Sequence, residues 1–272
     1  MALPPPSATA TALVTGASAG IGAALARSLA RRGHGVTLVA RREDRLRTLA
    51  DELARAHGVR AEVVAADLAQ EGDRDRLAEA VAASGLAVEV LVNCAGFGIY
   101  EPFTVSDRAR ELEQVRLLVE AVVDLDSRYV PAMVERGRGA VINLTSTAGF
   151  QALPGSIDYS AAKAFVLVHT EGLHEELRDT GVTATAVAPG PVRTDFHATS
   201  ETLFAQRLPK LVWVEADRVA EDALDAAERG KRSVVPGGVA PKLAFAPNRL
   251  VPAMITAPVA RRIMSGELRR GP

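Results

Sequence analysis

The stretch Thr15-Gly16-Ala17-Ser18-Ala19-Gly20-Ile21-Gly22 decides the fold of this chain. A short apolar run at residues 12–15 precedes it and an amphipathic stretch at residues 21–32 follows it directly, so it forms a turn from a strand into a helix. Glycines let the backbone turn tightly and approach a pyrophosphate, and the first N–H groups of the helix attract phosphates. A structural bend is the alternative, but this strand-turn-helix context favours a dinucleotide site.

The rest of the chain repeats this alternation of strands and helices. Short runs that are apolar on both faces are typical of buried parallel strands, and amphipathic stretches of helical period lie between them. This order predicts an α/β fold: a single Rossmann-fold domain with a doubly wound, mostly parallel seven-stranded sheet and helices on both faces. The predicted strands are residues 12–15, 36–40, 61–65, 90–92, 140–144, 182–188 and 233–235, and the predicted helices are residues 21–32, 43–57, 73–84, 107–135, 158–179 and 215–229.

The chain divides into one domain with two distinct ends. We expect residues 1–10 to be a flexible N-terminus and residues 11–240 to form the Rossmann domain. Residues of about 193–214 interrupt the alternation where doubly wound folds bind ligands, which indicates a substrate loop. Residues 241–272 form an apolar tail with six Lys and Arg residues against one Glu. Packing of this tail on the domain is favoured, and peripheral contact with an anionic membrane is the alternative.

Composition excludes several classes of function. A net charge of −1 and an aromatic content of 4% provide neither a basic nor a base-stacking surface, which excludes nucleic acid as a partner. The single cysteine, Cys94, and the five scattered histidines do not form a metal-ligating pattern, so no metal is expected. No stretch has the length and hydropathy of a transmembrane helix, and the first residues do not form a signal peptide. The sequence therefore predicts a cytoplasmic protein.

The end of the second predicted strand bears on the choice of coenzyme. NAD-binding domains carry an acidic residue there, about 20 residues past the glycines, that holds the ribose 2′-hydroxyl. This chain has Ala40-Arg41-Arg42 instead. A carboxylate repels a 2′-phosphate, whereas a guanidinium binds it with two hydrogen bonds. We therefore expect NADP(H), held by Arg41 with an added hydrogen bond from Ser18. A solvated helix start is the alternative for both arginines.

Four segments, in one order along the chain, resemble the short-chain dehydrogenase/reductase family. They are the glycine-rich turn, Asn93-Cys94-Ala95-Gly96, Tyr159-Ser160-Ala161-Ala162-Lys163 and Pro189-Gly190-Pro191-Val192-Arg193-Thr194. The resemblance implies a homodimeric or homotetrameric oxidoreductase, similar to the branch of 3-oxoacyl and long-chain ketone reductases. The resemblance implies that Asp67, which ends the third predicted strand, contacts the adenine, and an N-cap of the next helix is the alternative role for this residue. The implied coenzyme contacts are Gly16, Ser18, Gly20, Ile21, Gly22, Asp67, Leu68, Asn93, Ala95, Gly96, Tyr159, Lys163, Pro189, Gly190 and Thr194.

The candidate catalytic residues are Ser146, Tyr159 and Lys163. Tyr159 and Lys163 are four residues apart on a predicted helix, so they lie on one face. Free tyrosine has a pKa of about 10, and a nearby ammonium lowers it toward neutrality. The resemblance implies that Tyr159 donates a proton to a carbonyl oxygen, that Lys163 binds the nicotinamide ribose, and that Ser146 hydrogen-bonds the substrate oxygen. Turn chemistry at a strand end is the alternative role for Ser146.

Leu118 departs from the family pattern. Many members carry an asparagine on the long helix before the fifth strand, and the resemblance implies that this residue positions a water that relays protons toward the lysine. The corresponding segment here is Leu117-Leu118-Val119, and a leucine cannot bind water. Core packing is the alternative role for Leu118, because it shares its helical spacing with Val115, Val122 and Leu125.

The function predicted from the sequence is NADPH-dependent reduction of a small apolar carbonyl substrate, a ketone or a 3-oxoacyl compound. The loops expected at the mouth of the site are rich in apolar side chains, among them Phe97, Ile99, Tyr100, Phe150 and Leu153. Two alternatives stay open. One is a catalytically weakened NADP(H)-binding regulatory or scaffold protein, suggested by Leu118, and the other is an alcohol dehydrogenase that works in the oxidative direction.

Overall fold

A seven-stranded parallel sheet forms the centre of the computed structural model, which describes residues 3–194, 209–245, 251, 253–266 and 268. Valine, leucine and alanine dominate these strands, as expected for a sheet that is covered on both faces. Its strands are β1 (Ala10–Thr15), β2 (Val36–Ala40), β3 (Ala61–Ala65), β4 (Ala87–Asn93), β5 (Gly139–Leu144), β6 (Val182–Val187) and β9 (Ser233–Val234). A separate parallel pair is formed by β7 (Val192–Arg193) and β8 (Val214–Glu215).

The strand order is β3-β2-β1-β4-β5-β6-β9, and every pairing in this sheet is parallel. The chain runs outward from β1 to β3 and then crosses back to place β4 beside β1. Two successive halves of the sheet therefore diverge between β1 and β4, and such a reversal opens a crevice at the carboxyl ends of the strands. The doubly wound fold class predicted from the sequence is confirmed.

Helices cover both faces of the sheet. In chain order they are α1 (Gly20–Arg31), α2 (Glu43–His57), α3 (Glu71–Ala83), α4 (Arg108–Val115), α5 (Ala121–Glu135), α6 (Ile157–Glu176), α7 (Ala216–Glu228), α8 (Val239–Phe245) and α9 (Ala253–Ile263). The helices α1, α2 and α7 share one core cluster, and α3 and α5 share another. Leu13 and Val14 are neighbours in β1 and belong to different clusters, because successive side chains of a strand point to opposite faces. Burial of each such side chain contributes about 1.5–3 kcal/mol to folding.

The long helix predicted at residues 107–135 is interrupted. Its first part ends at Val115, a π-helix spans Arg116–Glu120, and α5 begins at Ala121. A π-turn inserts one residue into the helical repeat, and single π-turns inside α-helices occur frequently at functional sites. The hydrophobic spacing of the sequence does not distinguish this insertion from a continuous helix. The interruption contains Leu118, the residue that departs from the family pattern.

The two ends of the chain pack on the domain where the structure describes them. Leu3 is buried in the core cluster of α1 and α2, although residues 1–10 were expected to be flexible. In the tail, Thr256 and Ala260 on α9 and Met264 directly after it are buried. Ala260 and Met264 pack against Leu153, which places this helix over the mouth of the crevice. Most of the predicted substrate loop, residues 195–208, lies outside the described residues.

Candidate active site

A cavity of about 620 Å³ opens at the carboxyl ends of the central strands. The turns after β1, β4, β5 and β6 all contribute to its walls, because parallel strands end at one edge of the sheet. Every candidate site residue from the sequence except Asn93 lines this cavity. They are Gly16, Ser18, Gly20, Ile21, Gly22, Arg41, Asp67, Leu68, Ala95, Gly96, Ser146, Tyr159, Lys163, Pro189, Gly190 and Thr194.

The glycine-rich turn is closely packed. Gly16 has a φ of +68°, and a Cβ added to it would lie 2.9 Å from Ala95 Cα, so only glycine fits there. Thr15 Oγ1 accepts hydrogen bonds from the N–H groups of Cys94 at 2.9 Å and Ala95 at 3.0 Å, which fixes the turn after β4 against the turn after β1. Helix α1 begins at Gly20 without a side-chain cap, so its first N–H groups are available to an anion such as a pyrophosphate.

Arg42, rather than Arg41, makes the contact with Ser18. Its Nη2 and Nε atoms donate to Ser18 Oγ at 2.9 and 3.2 Å. Arg41 Nη1 instead lies 3.5 Å from a carboxylate oxygen of Glu113, on α4. Both guanidinium groups line the cavity where an NAD-binding domain carries its acidic residue. Glu113 also lines the cavity. Its place in this wall could not be predicted from the sequence, because α4 lies far from β2 along the chain.

Asp67 lies at the cavity and is not the N-cap of α3. Its Oδ1 accepts a hydrogen bond from the Ala69 N–H at 3.2 Å, and its own N–H donates to Asp73 Oδ2 at 2.8 Å. The N-cap of α3 is Gln70. The carboxylate is therefore held by a local turn beside the wall formed by Leu68.

Asn93 differs from the prediction, because its side chain is buried away from the cavity. Its Nδ2 donates to Asp126 Oδ1 at 2.8 Å and to Asn143 Oδ1 at 2.9 Å. Asp126 Oδ2 also accepts a hydrogen bond from Asn143 Nδ2 at 3.0 Å and lies 3.0 Å from His169 Nε2. Asn93 thus ties β4 to β5 and α5. Its position as the last residue of β4 directs the side chain into this network, and the residues after it, Cys94 to Gly96, form the cavity wall.

The three candidate catalytic side chains meet at one side of the cavity. Ser146 precedes a short 3-10 turn, Thr147–Phe150, and receives a hydrogen bond from the Ala148 N–H at 3.1 Å. It also hydrogen-bonds the Tyr159 phenol. Gly149 brings the turn against α6, because a Cβ added there would lie 2.7 Å from Ala164 N. The turn after β5 and helix α6 are therefore held in one arrangement.

Burial controls the proton affinities of this group. It raises the pKa of Tyr159 to about 12, although a hydrogen bond from Ser146 acts in the opposite direction. Burial lowers the pKa of Lys163 to about 8. Lys163 Nζ donates to the Leu144 carbonyl at 2.7 Å and lies 5.8 Å from the Tyr159 ring centroid. The effect of burial therefore outweighs the lowering of the Tyr159 pKa that the sequence led us to expect.

Leu118 fills the space between helix α6, which carries Tyr159 and Lys163, and the turn after β4. It is 1% exposed and packs against Tyr159 and Ala162. A Cβ added to Gly96 would lie 2.8 Å from Leu118 Cδ2 and 3.9 Å from Lys163 Nζ. The apolar side chain of Leu118 therefore lies near Lys163, at the position where the family resemblance implies the amide of an asparagine. The packing role that the sequence left open for Leu118 is present in the structure.

Aromatic and aliphatic side chains form the rest of the wall. The Tyr100 and Tyr159 ring centroids are 6.1 Å apart, and Leu153 and Phe97 line the same cavity. Ile99 and Phe150 were expected at the mouth but are not among the lining residues. Phe245, at the end of α8, lines the cavity without having been predicted. No local pattern identifies it, since it follows Gly190 by more than fifty residues and meets the site only through folding.

Comparison with known proteins identifies the family. A model of the short chain dehydrogenases matches residues 10–203, which contain the glycine-rich turn and the three candidate catalytic residues. The chain belongs to the short-chain dehydrogenase family. A very-long-chain 3-oxoacyl-CoA reductase of Anas platyrhynchos is 33% identical over 211 residues, which cover 75% of this chain and 67% of the relative. Sulfoacetaldehyde reductase 2 of Chromohalobacter salexigens is 34% identical over 219 residues, covering 77% and 84%.

Solved structures of the family share this fold. A short-chain dehydrogenase from Sphingobium yanoikuyae in complex with NADPH matches with a TM-score of 0.78 at 30% identity, covering 97% of each chain. The bulky-bulky ketone specific alcohol dehydrogenase from Comamonas testosteroni matches with a TM-score of 0.75 at 28% identity, covering 98% of this chain and 97% of the other. The chain is therefore a short-chain dehydrogenase-type oxidoreductase, and its resemblance to the ketone reductase branch is confirmed. None of the helices described here is long and apolar enough to cross a membrane.

Proposed function

We propose that this protein uses NADPH to reduce an apolar ketone or 3-oxoacyl substrate to an alcohol. The observation that carries the proposal is the position of Ser146, Tyr159 and Lys163 on the wall of a cavity whose other end holds two arginines. Such a cavity supports a reaction between a phosphate-rich coenzyme and a carbonyl compound, because it offers anion-binding groups at one end and a proton donor at the other.

The walls of the cavity fit NADP(H). The uncapped N-terminus of α1 suits a pyrophosphate, and Arg41 and Arg42 suit a 2′-phosphate beside the ribose. We expect Asp67 and Leu68, which line the cavity, to contact the adenine, and Thr194 and Lys163 to contact the nicotinamide end. The relative from Sphingobium yanoikuyae, whose structure contains NADPH, supports this assignment. When bound, the coenzyme supplies the hydride.

The side chains of this chain supply the proton and hold the substrate. Ser146 Oγ and the Tyr159 hydroxyl are hydrogen-bonded to each other, so both are placed to donate to one substrate carbonyl oxygen. Tyr159 transfers its proton to that oxygen as the carbonyl is reduced. Lys163, held on the Leu144 carbonyl, carries the positive charge that favours the phenolate left behind.

Burial raises the pKa of Tyr159 to about 12, so the phenol carries the proton that reduction requires. The same group accepts that proton when an alcohol is oxidised, so the site serves a carbonyl reductase and an alcohol dehydrogenase alike. The direction is tested by comparing turnover of ketones with NADPH and turnover of the matching alcohols with NADP+.

Replacement of Tyr159 by Phe tests the chemistry. The phenol acts in the transition state, so the variant should lose turnover while its Kd for NADPH stays within about twofold of the original. The measurement is NADPH consumption with apolar ketones and 3-oxoacyl thioesters, next to NADPH binding by fluorescence. Substantial turnover in the variant would show that another group donates the proton. No turnover by the unmodified protein, despite NADPH binding, would favour the regulatory or scaffold alternative.

Replacement of Arg42 by Ala tests the coenzyme. The loss of a charge-assisted contact should weaken NADPH binding by about 1.5–3 kcal/mol, or roughly 10- to 100-fold, while NADH binding changes little. Arg41→Ala tests the second guanidinium in the same way. Arg47→Ala is the matched control, because Arg47 lies on α2, the helix that follows Arg42, and forms an ion pair with Glu43 one turn away. Equal affinities of the unmodified protein for NADPH and NADH would refute the coenzyme assignment.

A further inference from the structure

Phe245 lies against the backbone of the catalytic region. A Cβ added to Gly190 would lie 2.9 Å from Phe245 Cε2, and the three atoms nearest to it all belong to the Phe245 ring. Gly190 follows Pro189, whose carbonyl oxygen lies 3.5 Å from Ser146 Oγ and accepts the Thr147 N–H at 3.0 Å. The ring therefore borders the segment that holds Ser146 in place.

The strand order places aromatic side chains on both sides of the catalytic segment. Strand β5 lies between β4 and β6 in the sheet. The turn after β4 carries Tyr100, the turn after β5 carries Ser146, and the turn after β6 carries Gly190 with the Phe245 ring on it. Tyr100 thus borders the catalytic group from the β4 side, and Phe245 borders it from the β6 side. Both line the same cavity.

Helix α8 ends at Phe245, which lines the cavity. Pro241 and Phe245 are four residues apart, so they share one face, and Pro241 is buried. Leu243 lies outside this face and is 72% exposed. Just before the helix, the Gly237 N–H donates to Asp222 Oδ2 on α7 at 2.8 Å, which ties the start of α8 to the domain.

We infer that Phe245 is a specificity-determining residue, which limits the size of the substrate group on the β6 side of the carbonyl. This inference rests on the proposed function. A carbonyl oxygen held by Ser146 and Tyr159 directs one substituent toward Tyr100 and Leu153 and the other toward Phe245. Both walls are apolar, so the substrate class is a ketone with an apolar group on each side. An aldehyde would leave one wall without a contact, and its binding would lose that apolar burial.

A series of phenyl ketones with methyl, ethyl, propyl or butyl as the second substituent tests this inference. Phe245→Ala should raise the ratio of kcat/KM for the butyl ketone to that for the methyl ketone by at least about tenfold, because an apolar pocket discriminates single methylene groups by this factor or more. Phe245→Trp, which enlarges the wall, should lower the same ratio. Leu243→Ala is the matched control on the exposed side of α8 and should leave the ratio unchanged.

A binding measurement separates this inference from the proposed function. The same ketones are titrated calorimetrically into the coenzyme-free protein, where no turnover takes place. Phe245→Ala should raise the affinity for the butyl ketone relative to the methyl ketone, and Phe245→Trp should lower it. Turnover with an identical ratio in all Phe245 variants would overturn the inference and leave the proposed function intact. Absence of turnover with the expected binding shifts would overturn the proposed function and retain Phe245 as the wall of the pocket.

Discussion

The buried charge of Lys163 should lower the free energy of unfolding of this domain. The pKa of Lys163 is lowered from the ordinary value of 10.5 to about 8 because the ammonium is buried, although the nearby Cys94 acts in the opposite direction. When a lysine binds its proton less tightly in the folded state than in the unfolded chain, the folded state is destabilised at every pH at which the folded lysine is charged. Replacement of Lys163 by Met retains most of the side-chain volume and removes the charge. This variant should therefore be inactive and more stable than the original protein.

The expected gain follows from the two pKa values. Each tenfold change in proton affinity corresponds to about 1.4 kcal/mol, so the difference between 10.5 and about 8 costs the folded state about 3 kcal/mol. Loss of the hydrogen bond to the Leu144 carbonyl offsets about 1 kcal/mol of this. The net gain of about 2 kcal/mol at pH 7 corresponds to a rise in Tm of about 4–8 °C for a domain of this size.

The pH dependence identifies the cause. Below about pH 8 the lysine is protonated in both states, so the full cost is present. Between about pH 8 and 10.5 only the unfolded chain keeps the proton, so the stability of the original protein rises with pH relative to the variant. Above about pH 10.5 the lysine is neutral in both states, so it no longer destabilises the folded state. Urea unfolding of the original protein and of Lys163→Met from pH 7 to 10.5 measures how the difference in their free energies of unfolding changes with pH. Lys242→Met, which removes an exposed lysine of α8, is the control. A Lys163→Met variant with an unchanged or lower Tm and a parallel pH curve would refute the reasoning.

Two further substitutions test the proton path and the assembly. Leu118→Asn places an amide next to Gly96 and Lys163, and should raise kcat with little change in KM while lowering stability by about 1–3 kcal/mol. Leu118→Ala should lower stability without the gain in kcat, and a folded Asn variant with an unchanged or lower kcat would show that Leu118 does not limit proton delivery. Val168, 69% exposed on α6, lies on one of the helices that the family resemblance implies in a two-fold interface. Light scattering should show a dimer or tetramer, and Val168→Glu should shift the mass to a monomer while Val239→Glu on α8 does not. A monomeric unmodified protein at micromolar concentration would contradict this expectation.

Residues near one another along the chain were predictable. Tyr159 and Lys163 share a helix, so their spacing alone places them together. The helix predicted at residues 43–57 matches α2 in both bounds. The interruption at Arg116–Glu120 was not predictable, because a π-turn keeps the same apolar composition and changes only the hydrogen-bond pattern.

The sequence by itself determined the alternation of strands and helices, the glycine-rich turn and the candidate catalytic residues. Each of these depends on periodicity or on backbone conformation, which are properties of a few consecutive residues. The tertiary structure alone decided that Arg42 contacts Ser18, that Asn93 belongs to a buried network, and that Phe245 borders Gly190. It also decided that burial raises the pKa of Tyr159. These depend on distances between segments far apart in the chain, and only the packed fold sets such distances.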